Sequence, residues 1–190
     1  MEYRRAQSND YDNIVALQNQ NLISVVSAAE KSNGFLATAF SVEQFIKMNN
    51  EMCVVVCYDD NYLCGYLGSS PVDFNLSLQI PAEMVKRLKQ IHYHGELMTT
   101  ESCYIASPVC IDKPYRNQGI YLGLCQELAK YIPPKYDFAL TLIADDNKRS
   151  LHATIQFGFE VIDQFTANNT LFHTLICSMS TFRKTFCENA

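Results

Sequence analysis

The run MCVVVCYDDNYLCGYLGSS, Met52 to Ser70, most constrains the fold. Two stretches rich in β-branched and aromatic residues flank Asp59-Asp60-Asn61, a cluster that favours a tight turn. The pattern predicts a β-hairpin. The segments on either side decide what kind of sheet it joins.

Before the hairpin, EYRRAQ reads as a short first strand. SNDYDNIVALQNQ opens with helix-capping residues and early acids, then brings Ile14, Val15 and Leu17. Asn33-Gly34 marks a turn. SVEQFIKM begins a second helix, with Ser41 and Gln44 spaced as a capping box and Val42, Phe45 and Ile46 as its apolar face. After Pro71 comes a detour over 73–101. Within it, PAEMVKRLKQIHYHG predicts a helix that starts near Pro81 and stops at Gly95.

SCYIASPVCI returns to strand, but Pro108 interrupts it, which predicts a bulge or splayed edge. GIYLGLCQELAKY then places Ile120, Leu124, Leu128 and Tyr131 at helical spacing, and Pro133-Pro134 ends the helix. DFALTLIA reads as strand, and NKRSLHATIQF as a short helix closed by Gly158. FEVIDQFTANNTLFHTLICSM reads as a hairpin around Ala167-Asn168-Asn169. This order predicts one domain over 1–190, a mixed sheet covered by helices, with a helical insertion at about 73–101.

Composition narrows the function classes. The 48% hydrophobic and 18% charged fractions are those of a folded protein. Lys plus Arg number 15 against 20 Asp plus Glu, and no basic block argues for nucleic acid. A mildly acidic surface would favour a cationic amine over an anionic substrate. The eight cysteines are scattered, with no CxxC pair, and several sit in apolar runs where cysteine acts as a small hydrophobe. Cys53 and Cys57 with His92 and His94 could in principle make a metal site, but zinc ligands are usually spaced more tightly, so no metal is expected. No signal peptide and no membrane span are read, and free thiols point to the cytoplasm.

Two motifs carry chemistry. VCIDKPYRNQGIYLGL is a strand, a turn with Arg116 and Gly119, and a helix. DNKRSLHATIQFGFEVI places Asn147 and Ser150 at a helix start and Gly158-Phe159 at its end. In this order, with a strand between them, they resemble the GNAT acyltransferase superfamily, which transfers acyl groups from coenzyme A. The resemblance covers nearly the whole chain, with Asp73 to Glu101 as the main addition. It implies an α+β, three-layer α/β/α fold: a mixed, mainly antiparallel central sheet with a splayed central strand pair, flanked by helices.

The resemblance also implies a site. The amides from Asn117 through Gln118, Gly119, Ile120 and Tyr121 to Leu122 would cradle the pyrophosphate of acetyl-CoA, with Arg116 adding a charge-assisted contact. A turn feeding a helix N-terminus offers unpaired N–H groups and a favourable dipole for this. Tyr121 stands where a small residue is usual, but its main-chain N–H serves equally, and its ring either lines the groove or packs on the sheet. The main chain of Val109, Cys110 and Ile111 would pair with the pantetheine arm as an added strand does. Asn147 and Ser150 would lie near that arm, Asn147 being also a plain helix cap.

The usual catalytic side chains are missing. The family's glutamate on the strand before the turn falls here on Ile105, and its tyrosine before the helix-ending glycine on Thr154. Thr154, Ser107 and Tyr104 are the remaining candidates, with Glu101, His92 and His94 as substitutes from the inserted segment. The implied function is acetyl transfer from acetyl-CoA to a primary amine of a small molecule or peptide. The alternative is a sensor that binds acyl-CoA without turnover. Phe35, Leu36 and Phe40 suggest a partly apolar acceptor pocket, and 73–101 is a candidate pocket wall or homodimer contact.

Overall fold

A computed structural model describes residues 1–188. Strand β1 (Glu2–Arg5) leads into helix α1 (Tyr11–Gln20), which buries Ile14 and Leu17. Helix α2 (Val42–Glu51) starts at the expected capping box. The Gln44 amide donates to Ser41 Oγ at 3.3 Å, and the Ser41 amide donates to the Gln44 side chain at 2.8 Å. Its buried stripe is Phe45, Met48 and Asn49, and Ile46 is exposed. A step of about 100° per residue carries position 46 off that stripe.

Strands β2 (Cys53–Asp59) and β3 (Tyr62–Pro71) form the expected hairpin, with Asp60 at φ 50° in its turn. The next segment departs from the single long helix read in the sequence. A 3-10 turn over Val72–Ser77 precedes helix α3 (Gln79–Leu88), which ends well short of Gly95. Strands β4 (His92–Tyr93) and β5 (Glu96–Leu97) then pair around His94 and Gly95, whose φ values are 52° and 87°. Two adjacent positive φ angles are what a two-residue hairpin turn requires, so Gly95 closes a hairpin and not a helix. Pro81 sits in the first turn of α3, where its missing N–H costs nothing.

Strands β6 (Cys103–Ile105) and β7 (Val109–Ile111), helix α4 (Ile120–Ala129), strand β8 (Phe138–Ala144), helix α5 (Lys148–Gln156) and strands β9 (Glu160–Ala167) and β10 (Thr170–Ser178) follow in the expected order. The short terminal helix α6 (Met179–Arg183), continued by a π turn over Lys184–Glu188, was not read from sequence. Its signals are present: Ser178 Oγ accepts from the Thr181 amide at 3.1 Å, and Phe182 is buried one turn before buried Phe186. The β-rich run that precedes it masks the change of period.

The strands line up as β1-β2-β3-β6-β8-β10-β9, with β7 also paired to β3. Every pairing is antiparallel except β6 with β8. The result is an open α+β sheet with helices on both faces. Alternation along β2 sorts the layers: Val54, Val56 and Tyr58 join the core with α1 and α2, and Cys53, Val55 and Cys57 the core with α4. Seven cysteines are buried and form no disulfide, and Cys187 falls outside the described side chains. Met84, Val85 and Leu88 of α3 pack with Ile105, Leu140 and Ile176, and Arg87 grips Asp163 of β9 through two nitrogens. No helix among the described residues is long and apolar enough to cross a membrane.

One break in this sheet positions the site. Strand β6 is held on both sides, by β3 and by β8, up to the Ala106 N–H, which donates to the Leu140 carbonyl at 2.8 Å. Past Pro108, β7 pairs with β3 alone. The splay expected at the proline is therefore a wedge between β7 and β8.

Candidate functional site

The ladder geometry fixes which backbone groups face the wedge. The Gly68 N–H donates to the Pro108 carbonyl and the Asp112 N–H to the Cys64 carbonyl, both at 2.8 Å. Bonded and non-bonded pairs alternate along an antiparallel ladder, so Cys110 is engaged with Tyr66, and Val109 and Ile111 turn their main-chain groups away from β3. Arg116 Nε takes the Ile111 carbonyl at 2.9 Å. The N–H and C=O of Val109 are left facing the wedge.

The turn after β7 ends in two left-handed residues, Asn117 at φ 64° and Gly119 at φ 76°. Gly119 is the N-cap of α4, and a Cβ built there meets no atom within 4 Å. The first bond inside the helix runs from the Gly123 N–H to the Gly119 carbonyl, at 3.1 Å. The amides of Ile120, Tyr121 and Leu122 thus have no partner within the helix and stand at its positive end, beside open space. That is a cradle suited to a phosphate. The Ile120 side chain itself is buried core, and the Gln118 side chain folds back onto the Pro114 carbonyl at 2.9 Å.

Arg116 has a different task from the one its place in the motif suggests. Besides Ile111, its guanidinium reaches the Asn33 carbonyl at 2.7 Å and Asn21 Oδ1 at 2.9 Å. All three nitrogens are spent on the frame, tying the turn to the segment after α1. Burial pulls the guanidinium below its usual pKa. Arg149, which sequence reading missed, donates instead to the Asn117 side chain and lines the same cleft. Its signal was available: Lys148 and Arg149 both sit in the first turn of α5, where cations oppose the helix dipole.

A cleft of about 550 Å³ runs from this turn to the wedge. Arg116, Arg149 and His152 line it and no carboxylate does, in a chain whose formal charge is -5. A smaller chamber of about 80 Å³ adjoins it, walled by Phe35, Leu36 and Phe40, by Ile80 and Met84 of α3, and by the strands around Ser107. Both cavities share Val109, Tyr121, Asn147, Ser150 and Thr154. Asn147 is buried; its Nδ2 donates to the Phe35 carbonyl at 2.9 Å and its Oδ1 accepts from the Ser150 amide at 3.3 Å. It is both a cap and a strut.

At the junction the Tyr121 ring packs edge-on against Phe157, centroids 5.3 Å apart, with Thr154 and Cys125 near its hydroxyl. Burial pushes that phenol well above its ordinary pKa. Thr154 lines both cavities and Ser107 the chamber. Tyr104 lies elsewhere: its hydroxyl is buried without a partner in the α4-side core, and it lines neither cavity. His92, His94 and Glu101 are exposed and also line neither, and Glu101 borders a separate hollow with Asp73 and Lys135. No cluster of three or more metal-ligating side chains occurs among the described residues.

No protein-family model matches the chain, and no curated protein matches it. Solved structures do. The yncA protein of Salmonella typhimurium, solved with acetyl-CoA as its cofactor, is 12% identical at a TM-score of 0.62, covering 94% of each chain. An N-acetyltransferase of Staphylococcus aureus Mu50 is 15% identical at 0.61, covering 94% of this chain and 98% of its own. The ribosomal-protein-S18-alanine N-acetyltransferase of Escherichia coli is 8% identical at 0.59, covering 94% and 93%. With its wedge, its αL glycine turn and this likeness along nearly the whole chain, the protein has the GNAT N-acetyltransferase fold.

Proposed function

We propose that this protein is an acyl-CoA-dependent N-acyltransferase that moves an acetyl group from acetyl-CoA to a primary amine. One observation carries the reading. The cleft joins unpaired helix-terminal amides, two arginines and no carboxylate to a sheet wedge with an unpaired strand segment. Those are matching seats for a pyrophosphate and for an amide-bearing arm.

The amides of Ile120, Tyr121 and Leu122 hold the pyrophosphate, and Arg149 adds charge at the rim. Val109 offers its N–H and C=O to the arm. Acetyl-CoA, when bound, supplies a thioester whose carbonyl carbon gains the C–N bond and loses the C–S bond, the amine proton passing to the departing sulfur. Tyr121, kept protonated by burial, holds a proton at the junction of the two cavities, with Thr154 beside it. No side chain in either cavity is a carboxylate base, so the chain contributes mainly by positioning. The same lack favours the sensor reading.

Calorimetric titration with acetyl-CoA tests the cleft. Micromolar binding that is lost in Gly119→Arg is the expected result, and a folded wild type that binds no acyl-CoA refutes the proposal. Release of free CoA in the presence of amines then separates enzyme from sensor.

A further inference from the structure

The chamber beside the cleft carries a second message, resting on the transferase reading above. Its walls come from the 35–40 segment, the 3-10 turn and α3, β6 and β7, β8, α4, α5 and β10. Across all of these the lining includes no Asp, Glu, Lys, Arg or His, and its one titratable group is the Tyr121 phenol. Ile105, 2% exposed, stands on the strand that leads into the wedge. The half-buried rim carries no charge either: Ala37, Ile80 and Pro81 are apolar, and Thr38, Ser107 and Ser150 bring only hydroxyls. An ammonium group moved from water into such a space meets no counter-ion and no base, and burying an unpaired charge is strongly unfavourable.

We infer that the acceptor is a weakly basic primary amine on a small apolar group, taken up uncharged, and not a strongly basic amine of the lysine or polyamine kind. The acidic surface of the chain says nothing against this, because none of its carboxylates lines the chamber. The proton balance makes the preference quantitative. At pH 7.5 about a third of an α-amino group with pKa near 7.8 is neutral, against about one in 800 for an amine near 10.4. With no base among the chamber's own residues, that ratio of roughly 250 is the protonation contribution to kcat/KM, offset in part by the greater nucleophilicity of the more basic amine once neutral.

The test uses four acceptors with acetyl-CoA and the full chain: leucinamide, glycinamide, 3-methylbutylamine and Nα-acetyl-lysinamide. Leucinamide is expected to exceed 3-methylbutylamine, which has the same isobutyl body, by roughly 100-fold or more at pH 7.5. The gap should close as pH rises, each profile following its own amine. Leucinamide should exceed glycinamide by roughly 10- to 100-fold through burial of the isobutyl group. Placing a carboxylate on the rim with Ile80→Glu should narrow the first gap at least several-fold, which intrinsic amine reactivity alone would not do.

Equal use of 3-methylbutylamine or Nα-acetyl-lysinamide at pH 7.5 would overturn the assignment and leave the transferase standing. So would an unchanged ratio in Ile80→Glu, or acetyl-CoA binding with no transfer to any of the four. Absence of acetyl-CoA binding is a separate result and removes the transferase reading itself.

Discussion

Gly119 gives the sharpest test of the cradle, because strain and blockage can be separated there. Its φ of 76° is left-handed, and a Cβ at this position meets nothing within 4 Å. Gly119→Ala therefore causes no clash inside the protein, only the dihedral cost of about 1–2 kcal/mol for an L residue in this region. For a chain of this size that lowers Tm by about 2–8 °C. The open space is also where an anion would approach the amides of Ile120 to Leu122. A methyl group there displaces the phosphate from two amides, each charge-assisted bond contributing about 1.5–3 kcal/mol. Affinity for CoA should fall by roughly 100- to 10,000-fold.

Gly119→Asn separates strain from blockage. Asparagine tolerates left-handed angles better than alanine, yet its side chain fills more of the cradle. The Asn variant should therefore melt above the Ala variant and bind CoA no better. Thermal unfolding by circular dichroism and calorimetric titration with CoA read the two effects. Unchanged CoA affinity in either variant would refute the cradle, and an Asn variant less stable than Ala would refute the account of strain.

Other residues give further tests. Asn147→Ala removes the α5 cap and leaves the Phe35 carbonyl without its donor, a loss of about 1–3 kcal/mol that denaturant unfolding should detect. Amides at the start of α5 should then exchange faster. Arg116→Lys keeps the charge but reaches at most one of the three acceptors now held. Hydrogen exchange should rise across 33–36 as well as in the turn, and if it rises in neither, Arg116 is no clamp. Asp10, 1% exposed, is bound by Arg4, the Gln7 amide and Tyr58. Burial pushes its carboxyl up, but these donors outweigh burial and hold it below the usual range. The folded state then binds the proton less readily than the unfolded state. Its stabilising contribution is complete above the unfolded pKa of about 3.9 and is lost as pH falls through the lower folded value. Asp10→Asn should flatten the stability profile below about pH 4 and cost about 3 kcal/mol at neutral pH, since Arg4 loses its buried partner.

The sequence by itself determined the elements whose signals are local. The capping box at Ser41, the turn at Asp60, the break at Pro108 and the glycines at 119 and 158 each act through neighbours within a few residues. Each appears in the structure where its spacing places it. Only the tertiary structure decided what distant segments do to one another. Arg116 is consumed by Asn21 and Asn33, far away in sequence, so its motif position could not reveal that it is a clamp. Tyr104 and Tyr121 look alike as phenols on a strand and a helix. Yet strand alternation sends the first into the core, and the first turn of α4 holds the second at the junction of two cavities. The uncharged chamber is likewise a property of seven separate segments meeting, and no single stretch records it, because a cavity's polarity is set by which side chains converge and not by which are near in sequence.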